Sequence, residues 1–218
     1  MNVIPVINCP DAACAGPKAA TIKTFLEPGS FVHIDVEDGL FVARRTWNDP
    51  FASANLFAPF LIEAHLMVTQ PEEHADNWFT AGARRLIVPM DAVNPETLRE
   101  LLDLAEAHRA EIMLSTMPGA DPESIGPFLK RFGSERLASF QVLAVPPGAA
   151  GQPFSAEAVG RIGFLRQAVP HATIEVDGGM NPETVRLVKA AGADTIVSSS
   201  YIFNAADPKK AYEELVRI

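Results

Sequence analysis

The feature that most constrains this chain is a regular alternation of short apolar segments with helical ones. Most of the apolar runs are followed by a stretch with apolar residues three and four positions apart, the pattern of an amphipathic helix. The eight predicted strands cover residues 3–7, 31–36, 62–68, 85–90, 111–116, 140–145, 173–176 and 195–199. Strands separated by helices pair in parallel, and eight such units favour a closed (β/α)8 barrel, the TIM barrel, over an open sheet.

The predicted helices follow the same pattern, and many begin at a proline, whose missing N–H group costs nothing in the first helical turn. They cover residues 71–81, 95–108, 122–132, 155–168, 182–191 and 208–216. Gly82 and Gly192 follow two of them, the usual place for a left-handed residue that ends a helix. Residues 11–25 and 43–58 are expected to be loop with a turn or two of helix. Without a linker or a composition shift, residues 1–218 are expected to form one domain.

Charge and hydropathy exclude two classes of partner. The 218 residues include 18 Lys and Arg against 27 Asp and Glu, a formal net charge of −9. This balance repels a polyphosphate backbone unless basic residues gather on one face, and the sequence has no basic run, so no nucleic acid is expected as a partner. The longest apolar runs, residues 61–68 and 195–202, are too short and too polar to span a bilayer, which takes about 20 residues, so no membrane is expected.

The cysteines and the first residues of the chain indicate the cellular compartment of the protein. Cys9 and Cys14 are the only cysteines, and no histidine lies close to them in sequence. They predict neither a disulfide framework nor a zinc knuckle, so we expect two reduced structural thiols. The opening MNVIPVINCP has no basic segment and no small-residue cleavage site, which favours a cytoplasmic protein.

Polar residues stand at the ends of three predicted strands, the end of a barrel where active sites lie. His33 and Asp35 are two residues apart and therefore share one face of their strand. His65 stands near the end of the third strand, and Asp177 follows the seventh. Each residue alone is common as a core hydrogen-bonding group or a turn. Together they form an N2O2 donor set that suits zinc, iron(II), manganese or cobalt.

Glycine and serine runs near the last strands indicate a phosphate site. Gly178 and Gly179 precede a predicted helix, and residues 198–200 are three serines after the eighth strand. Loops at these two places, with the N–H groups of a helix start, recurrently bind phosphate in this fold. Residues 147–152, after the sixth strand, are placed to wrap the same ligand.

Five segments of the chain, in this order and spacing, resemble the ribulose-phosphate 3-epimerase family. They are HIDVEDGLFV (33–42), EAHLMV (63–68), PPGAAGQPF (146–154), VDGGM (176–180) and AGADTIVSSSYIF (191–203). Each segment alone is a weak signal, whereas the set is specific and covers almost the whole chain.

The resemblance implies a (β/α)8 barrel that binds a divalent metal through His33, Asp35, His65 and Asp177. It implies that Asp35 and Asp177 also act as acid and base, inverting C3 of a ketopentose phosphate through a cis-enediolate without an organic cofactor. The implied substrate contacts are Asn8, Met67, Gly148, Gly151, Gly178, Gly179, Ser199 and Ser200.

The chain departs from the family pattern around the substrate rather than the metal. Glu37 and Leu143 stand where the family has methionines, and Asn8 lies where a serine-containing segment is usual. Ala149 and Ala150 replace an aromatic residue and a glycine of the phosphate loop. We therefore expect the metal site and the proton-transfer pair to be kept and the substrate preference to have moved.

Several alternatives stay open. The substrate is D-ribulose 5-phosphate by default, with a related ketohexose or ketopentose phosphate as the nearest variant, and a barrel that binds a sugar phosphate without turnover is the non-enzymatic alternative. Decarboxylases and aldolases of the same superfamily resemble an Asp-x-Lys-x-x-Asp pattern, whereas here Asp35 and Glu37 flank a valine and no lysine follows. Arg44 and Arg45 either offset Glu37, contact a phosphate or lie in solvent. Apolar residues in the loop around Trp47 suit either a homo-oligomer interface or a cover over the barrel mouth.

Overall fold

Eight parallel strands close into a barrel, hydrogen-bonded in chain order with the last strand against the first. The computed structural model describes residues 1–148 and 151–218. The strands are β1 (Asn2–Ile7), β2 (Phe31–Glu37), β3 (Leu61–Met67), β4 (Arg85–Pro89), β5 (Glu111–Thr116), β6 (Ser139–Leu143), β7 (Thr173–Asp177) and β8 (Thr195–Ser198). The prediction of a (β/α)8 barrel is confirmed.

Helices follow the strands around the outside of this barrel. They are α1 (Ala12–Ile22), α2 (Pro50–Phe57), α3 (Pro71–Thr80), α4 (Pro95–Ala107), α5 (Gly126–Arg136), α6 (Glu157–Ala168), α7 (Pro182–Ala191), α8 (Ser200–Phe203) and α9 (Pro208–Val216). The segment predicted as one helix over residues 122–132 divides into a 3₁₀ turn, Pro122–Ile125, and α5. Gly82 and Gly192 have φ values of 104° and 110°, as a left-handed helix end requires.

The expectation of mostly loop after β1 is wrong. α1 has 11 residues, about three turns, and the Asp11 side chain accepts a hydrogen bond from the Cys14 N–H group to cap its start. Alanine, the residue with the highest helix propensity, is frequent in this segment, and Ala15 and Ala19 are buried. Pro17 inside the helix obscures this signal in the sequence. α2, with eight residues, has the two turns expected.

The cysteines also differ from the prediction. Cys9 and Cys14, expected as two reduced thiols, form a disulfide. β1 ends and α1 begins within a few residues, and this turn brings the two Cα atoms to 5.6 Å, within the range that a disulfide spans. Sequence spacing gives no measure of that distance, because it depends on the turn.

The barrel surrounds a core that is apolar on its outer side and polar within. Valine, isoleucine and leucine side chains of the strands pack against the helices, while several charged side chains on the inner face are buried, among them His33, Glu63 and Glu175. Among the described residues, none of the helices has the length and apolar character needed to cross a membrane.

Candidate active site

The structure brings the four predicted metal ligands together at one end of the barrel. His33, Asp35, His65 and Asp177 each offer one donor atom, and these atoms all lie within 4.8 Å of one another. His33 Nε2 lies 3.2 Å from Asp35 Oδ1. His65 Nδ1 lies 3.7 Å from the same oxygen and 3.9 Å from Asp177 Oδ2. These separations leave room for one cation between the four groups.

Strand periodicity and register produce this cluster. His33 and Asp35 alternate with buried apolar residues of β2, so both side chains point into the barrel. Asp35 is in register with His65 of β3. Asp177 is the last residue of β7 and reaches the same point from the opposite side of the barrel.

The donor set fits a divalent ion. Both ring nitrogens of His65 are buried and lack a hydrogen-bond partner among the described residues. A buried polar atom without a partner is costly, and a metal ion is one group that removes the cost. Two imidazoles and two carboxylates suit zinc, iron(II), manganese or cobalt rather than a hard cation such as calcium.

The two aspartates differ in their electrostatic environment. Burial opposes ionisation of Asp35, but the His33 hydrogen bond and the nearby His65 ring outweigh it and hold the pKa of Asp35 well below its usual range. Burial raises the pKa of Asp177 to about 7, and the negative charge of Asp35 adds to the shift. A pair with one carboxylate and one carboxylic acid suits proton transfer in two directions.

The pKa values of the two histidines are also shifted in opposite directions. Burial opposes the charged form of His33, but its contacts with Asp35 and Glu63 raise its pKa well above the usual value. Burial lowers the pKa of His65, and its contact with Asp35 offsets this effect only in part.

A cavity opens above this cluster, and the predicted substrate residues line it. Its walls include Asn8, Asp35, Met67, Gly148, Gly151, Asp177, Gly178, Gly179, Ser199 and Ser200. Pro146, Pro147, Met180 and Ser198 contribute from segments already named in the sequence, and Val6, Val145 and Val197 contribute without having been predicted as site residues. Ala149 and Ala150, expected to alter the phosphate loop, lie outside the described residues.

Asn8 contributes to the site through a hydrogen bond to the Asp35 carboxylate. Its Nδ2 group donates hydrogen bonds to Asp35 Oδ2 at 2.8 Å and to the Gly148 carbonyl at 3.2 Å. Asn8 therefore orients Asp35 and ties β1 to the loop after β6.

The two glycines after β7 are required by space as well as by conformation. Gly178 and Gly179 have φ values of 107° and 70°, which favour glycine. A Cβ atom on Gly178 would lie 2.4 Å from a Val145 methyl carbon, and one on Gly179 would lie 2.7 Å from the Phe154 backbone nitrogen. The close packing of this turn brings its backbone to the cavity wall.

Glu37 lies on β2 beside the predicted metal ligands and is in register with Met67. It is 2% exposed, and neither carboxylate oxygen has a hydrogen-bond partner among the described residues. Burial, with the charge of Asp35, raises the pKa of Glu37 to about 7. Arg44 Nε lies 3.9 Å from Glu37 Oε2, and Arg44 Nη1 donates to the Gly148 carbonyl at 3.2 Å. Arg44 is thus the arginine that offsets Glu37, and it links two loops of the mouth.

Sequence reasoning missed a second polar layer directly below the ligands. Glu63, Arg85 and Glu175 form it, in contact with His33. The signal was present, because Glu63 precedes His65 by two residues and Glu175 precedes Asp177 by two, which places each pair on one face of its strand.

Comparison with known proteins connects this site to one family. Residues 12–203 match the model of the ribulose-phosphate 3-epimerase family. The ribulose-phosphate 3-epimerase of Chlamydia muridarum is 34% identical over 209 residues, which cover 92% of this chain and 87% of that protein. The cytoplasmic isoform from Oryza sativa subsp. japonica is 32% identical over 186 residues, covering 85% and 80%.

Solved structures with lower sequence identity share the fold. A 3-hexulose-6-phosphate synthase from Salmonella typhimurium superposes with a TM-score of 0.74 at 18% identity, covering 100% of this chain and 97% of that one. KGPDC from Streptococcus mutans, in complex with D-R5P, gives a TM-score of 0.75 at 14% identity, covering 100% and 98%. At these identities the similarity shows the barrel fold alone.

Proposed function

The chain belongs to the ribulose-phosphate 3-epimerase family of isomerases, and from this premise we propose that it inverts C3 of a ketose phosphate, converting D-ribulose 5-phosphate to D-xylulose 5-phosphate by default. The observation that carries the proposal is the convergence of two aspartates and two histidines within 4.8 Å at the floor of one cavity. Acid and base on opposite sides of one point are what inversion of a carbon centre needs.

In the proposed reaction, one aspartate removes the proton from C3, and the bonding electrons move towards the C2 carbonyl oxygen to give a cis-enediolate. The other aspartate then donates its proton to the opposite face of C3. Asp35 and Asp177 exchange protonation states in one turnover, so atoms and charge balance. The opposite directions of their pKa shifts support this division of roles.

A divalent ion of zinc, iron(II), manganese or cobalt bound by His33, Asp35, His65 and Asp177 would stabilise the negative charge that develops on the substrate oxygens. Asn8 holds one of these ligands through its hydrogen bond to Asp35 Oδ2. The proposed chemistry needs no organic cofactor.

The proposed phosphate position is the wall of the cavity that lies away from the histidines. Backbone groups of Gly148, Gly151, Gly178 and Gly179, with Ser199 and Ser200, line it. Backbone N–H groups of glycine turns bind phosphate oxygens without a cationic side chain. Met67 would contact the carbon chain of the sugar.

A related ketohexose or ketopentose phosphate is the second candidate substrate, and Glu37 is the observation that favours it. A buried carboxylate in register with Met67 changes the polarity of the mouth from that of a methionine. A decarboxylase or aldolase is not favoured, because the described residues that line the cavity include no lysine.

The proposal also covers the domain organisation, the cellular compartment and the partners of the enzyme. We propose one barrel domain over residues 1–218 that acts in the cytoplasm on a small sugar phosphate, without nucleic acid or membrane as a partner. The rice relative is named as a cytoplasmic isoform. The Cys9–Cys14 disulfide is unusual for a reducing compartment, so thiol titration of protein freshly isolated from cells tests the location. An association between copies of the chain is tested by its mass in solution.

The roles of the two aspartates are tested by Asp35→Asn and Asp177→Asn, each of which should lower the rate with ribulose 5-phosphate at least about a thousandfold. Asp91→Asn is the matched control, because Asp91 is an exposed residue of the β4–α4 loop outside the cavity. Metal content is measured for each variant. A near-normal rate for either active-site variant would show that the proton-transfer pair is assigned wrongly.

A further inference from the structure

The inner layer of the barrel below the metal ligands contains a chain of charged contacts. Glu63 is in register with His33 on one side and with Arg85 on the other. His33 Nδ1 lies 2.8 Å from Glu63 Oε1, and Arg85 Nη1 lies 2.6 Å from Glu63 Oε2. Each carboxylate oxygen of Glu63 therefore has its own partner.

The contact with Glu63 fixes which nitrogen of His33 is free. A carboxylate only accepts hydrogen bonds, so His33 Nδ1 carries the hydrogen that it donates to Glu63. His33 Nε2 then points to Asp35 and the ligand cluster. His65 lacks such a partner on either nitrogen among the described residues, so the two histidine ligands are held by different means.

Arg85 supplies the positive charge that this layer requires. Its Nη1 group also lies 3.6 Å from Glu175 Oε2, its Nε group donates to Glu111, and its guanidinium stacks 4.7 Å from the centre of the Phe31 ring. Glu63 is fully buried, and an isolated carboxylate there would be strongly unfavourable.

The same layer could be mistaken for a second metal site. His33, Glu63 and Glu175 have donor atoms close enough to hold a cation. Arg85, however, already lies within 2.6 Å of Glu63 and 3.6 Å of Glu175. Arg85 thus supplies positive charge to both carboxylates, which is the need that a second cation would otherwise meet.

We propose that Glu63 and Arg85 are positioning residues for the metal site, with Glu63 orienting His33 through Nδ1 and Arg85 supplying the countercharge that holds Glu63 in place. The proposal rests on the metal site of the proposed function. Carboxylates that hold the second nitrogen of a histidine ligand typically contribute a factor of about 10–100 to metal affinity.

The test is the dissociation constant of cobalt(II) and zinc(II) for the full-length protein and for Glu63→Gln. We expect about a tenfold or larger loss of affinity. In ¹⁵N-histidine NMR spectra of the zinc-loaded wild type, a hydrogen-bonded Nδ1–H signal from His33 is expected, and it should shift or disappear in the variant. A purely structural role for Glu63 would leave the resonance of the bound histidine in place.

Glu111→Gln is the matched control, because Glu111 contacts Arg85 from the outer rim and does not touch His33. Its metal affinity should stay within about twofold of the wild type. If Glu63→Gln does not fold, Arg85→Gln and Arg85→Lys replace it: the first should weaken binding at least about threefold, and the second should restore most of it.

Two results would overturn the proposal. One leaves the proposed function intact, and the other also removes the proposed metal site. Equal affinity and an unchanged Nδ1–H signal in Glu63→Gln, or equal affinity in Arg85→Gln, would remove the positioning role and leave the proposed function intact. A wild-type protein that binds neither ion would remove the proposed metal site as well.

Discussion

Glu37 is the residue at which this chain departs most clearly from the pattern it otherwise follows. An acidic group beside an anionic reaction centre is unfavourable unless it is protonated, turned away or paired with a cation. The structure combines the first and the last, because burial raises the pKa of Glu37 to about 7 and Arg44 lies 3.9 Å away. Both effects reduce the negative charge at the mouth.

Replacing this carboxylate by the methionine that the family pattern has should favour the default substrate. We expect Glu37→Met to raise kcat/KM for ribulose 5-phosphate about tenfold, since a buried polar group without a hydrogen-bond partner typically costs about 1–3 kcal/mol. Glu37→Gln, which is polar but uncharged, separates the effect of charge from that of size. Unchanged kinetics in both variants would mean that Glu37 does not set substrate preference.

Glu37 should also make the free energy of unfolding depend on pH. Its pKa rises from 4.5 to about 7 on folding, so the folded state keeps a proton that the unfolded state releases. The free energy of unfolding therefore falls as pH increases between these values, by roughly 2–3 kcal/mol. In Glu37→Met, this decrease in the free energy of unfolding should be absent. Denaturant titrations at pH 4.5 and pH 8 measure it, and parallel profiles for the two proteins would contradict the shift.

At the scale of elements, strands were easier to predict than the turns between them. The β-branched runs located every strand, because strands buried on both sides of a parallel barrel are nearly continuous apolar segments. α1 was missed because Pro17 and small residues hide its periodicity, although the cap at Asp11 is a recognisable helix start. The Cys9–Cys14 disulfide was missed for a related reason, since it depends on how that helix turns back on β1.

The β7–α7 turn is an element whose geometry can be tested directly. Gly178→Ala should cost more than about 2 kcal/mol, because the left-handed backbone and the Val145 side chain both oppose a Cβ atom. Gly163→Ala in α6 is the matched control, since no described atom would lie within 4 Å of a Cβ atom added there and alanine favours a helix. Equal losses of unfolding free energy in the two variants would show that the turn tolerates side chains.

At the scale of the whole molecule, the strand-end rule of barrels connected fold and site. His33, Asp35 and His65 lie on the paired strands β2 and β3, and closure of the barrel brings Asp177 of β7 to the same point. The two-residue spacing places Glu63 and Glu175 on the inner face, but the pairing of Glu63 with Arg85 could not be derived from it, because which inward residues meet depends on the stagger between strands. Apolar runs give the number of strands and leave that stagger open.

Metal binding at the proposed site should stabilise the whole barrel, because the proposed ligands lie on β2, β3 and β7. With free zinc at about 100 times its Kd, the folded state gains about 2.7 kcal/mol. Removing the ion with a chelator should therefore lower Tm by about 5–10 °C. Asp35→Asn should respond little to the same treatment, and a wild-type Tm insensitive to chelator would contradict a bound ion at this site.

If this barrel inverts C3 of a ketose phosphate, it must remove the C3 proton, and exchange of that proton with solvent is the most direct measurement. Protein of measured metal content is incubated with D-ribulose 5-phosphate in deuterated water and followed by proton NMR. We predict loss of the C3 proton signal with appearance of D-xylulose 5-phosphate deuterated at C3. A metal-loaded protein that leaves the C3 proton in place, with ribulose 5-phosphate and with related ketose phosphates alike, would contradict the proposed inversion.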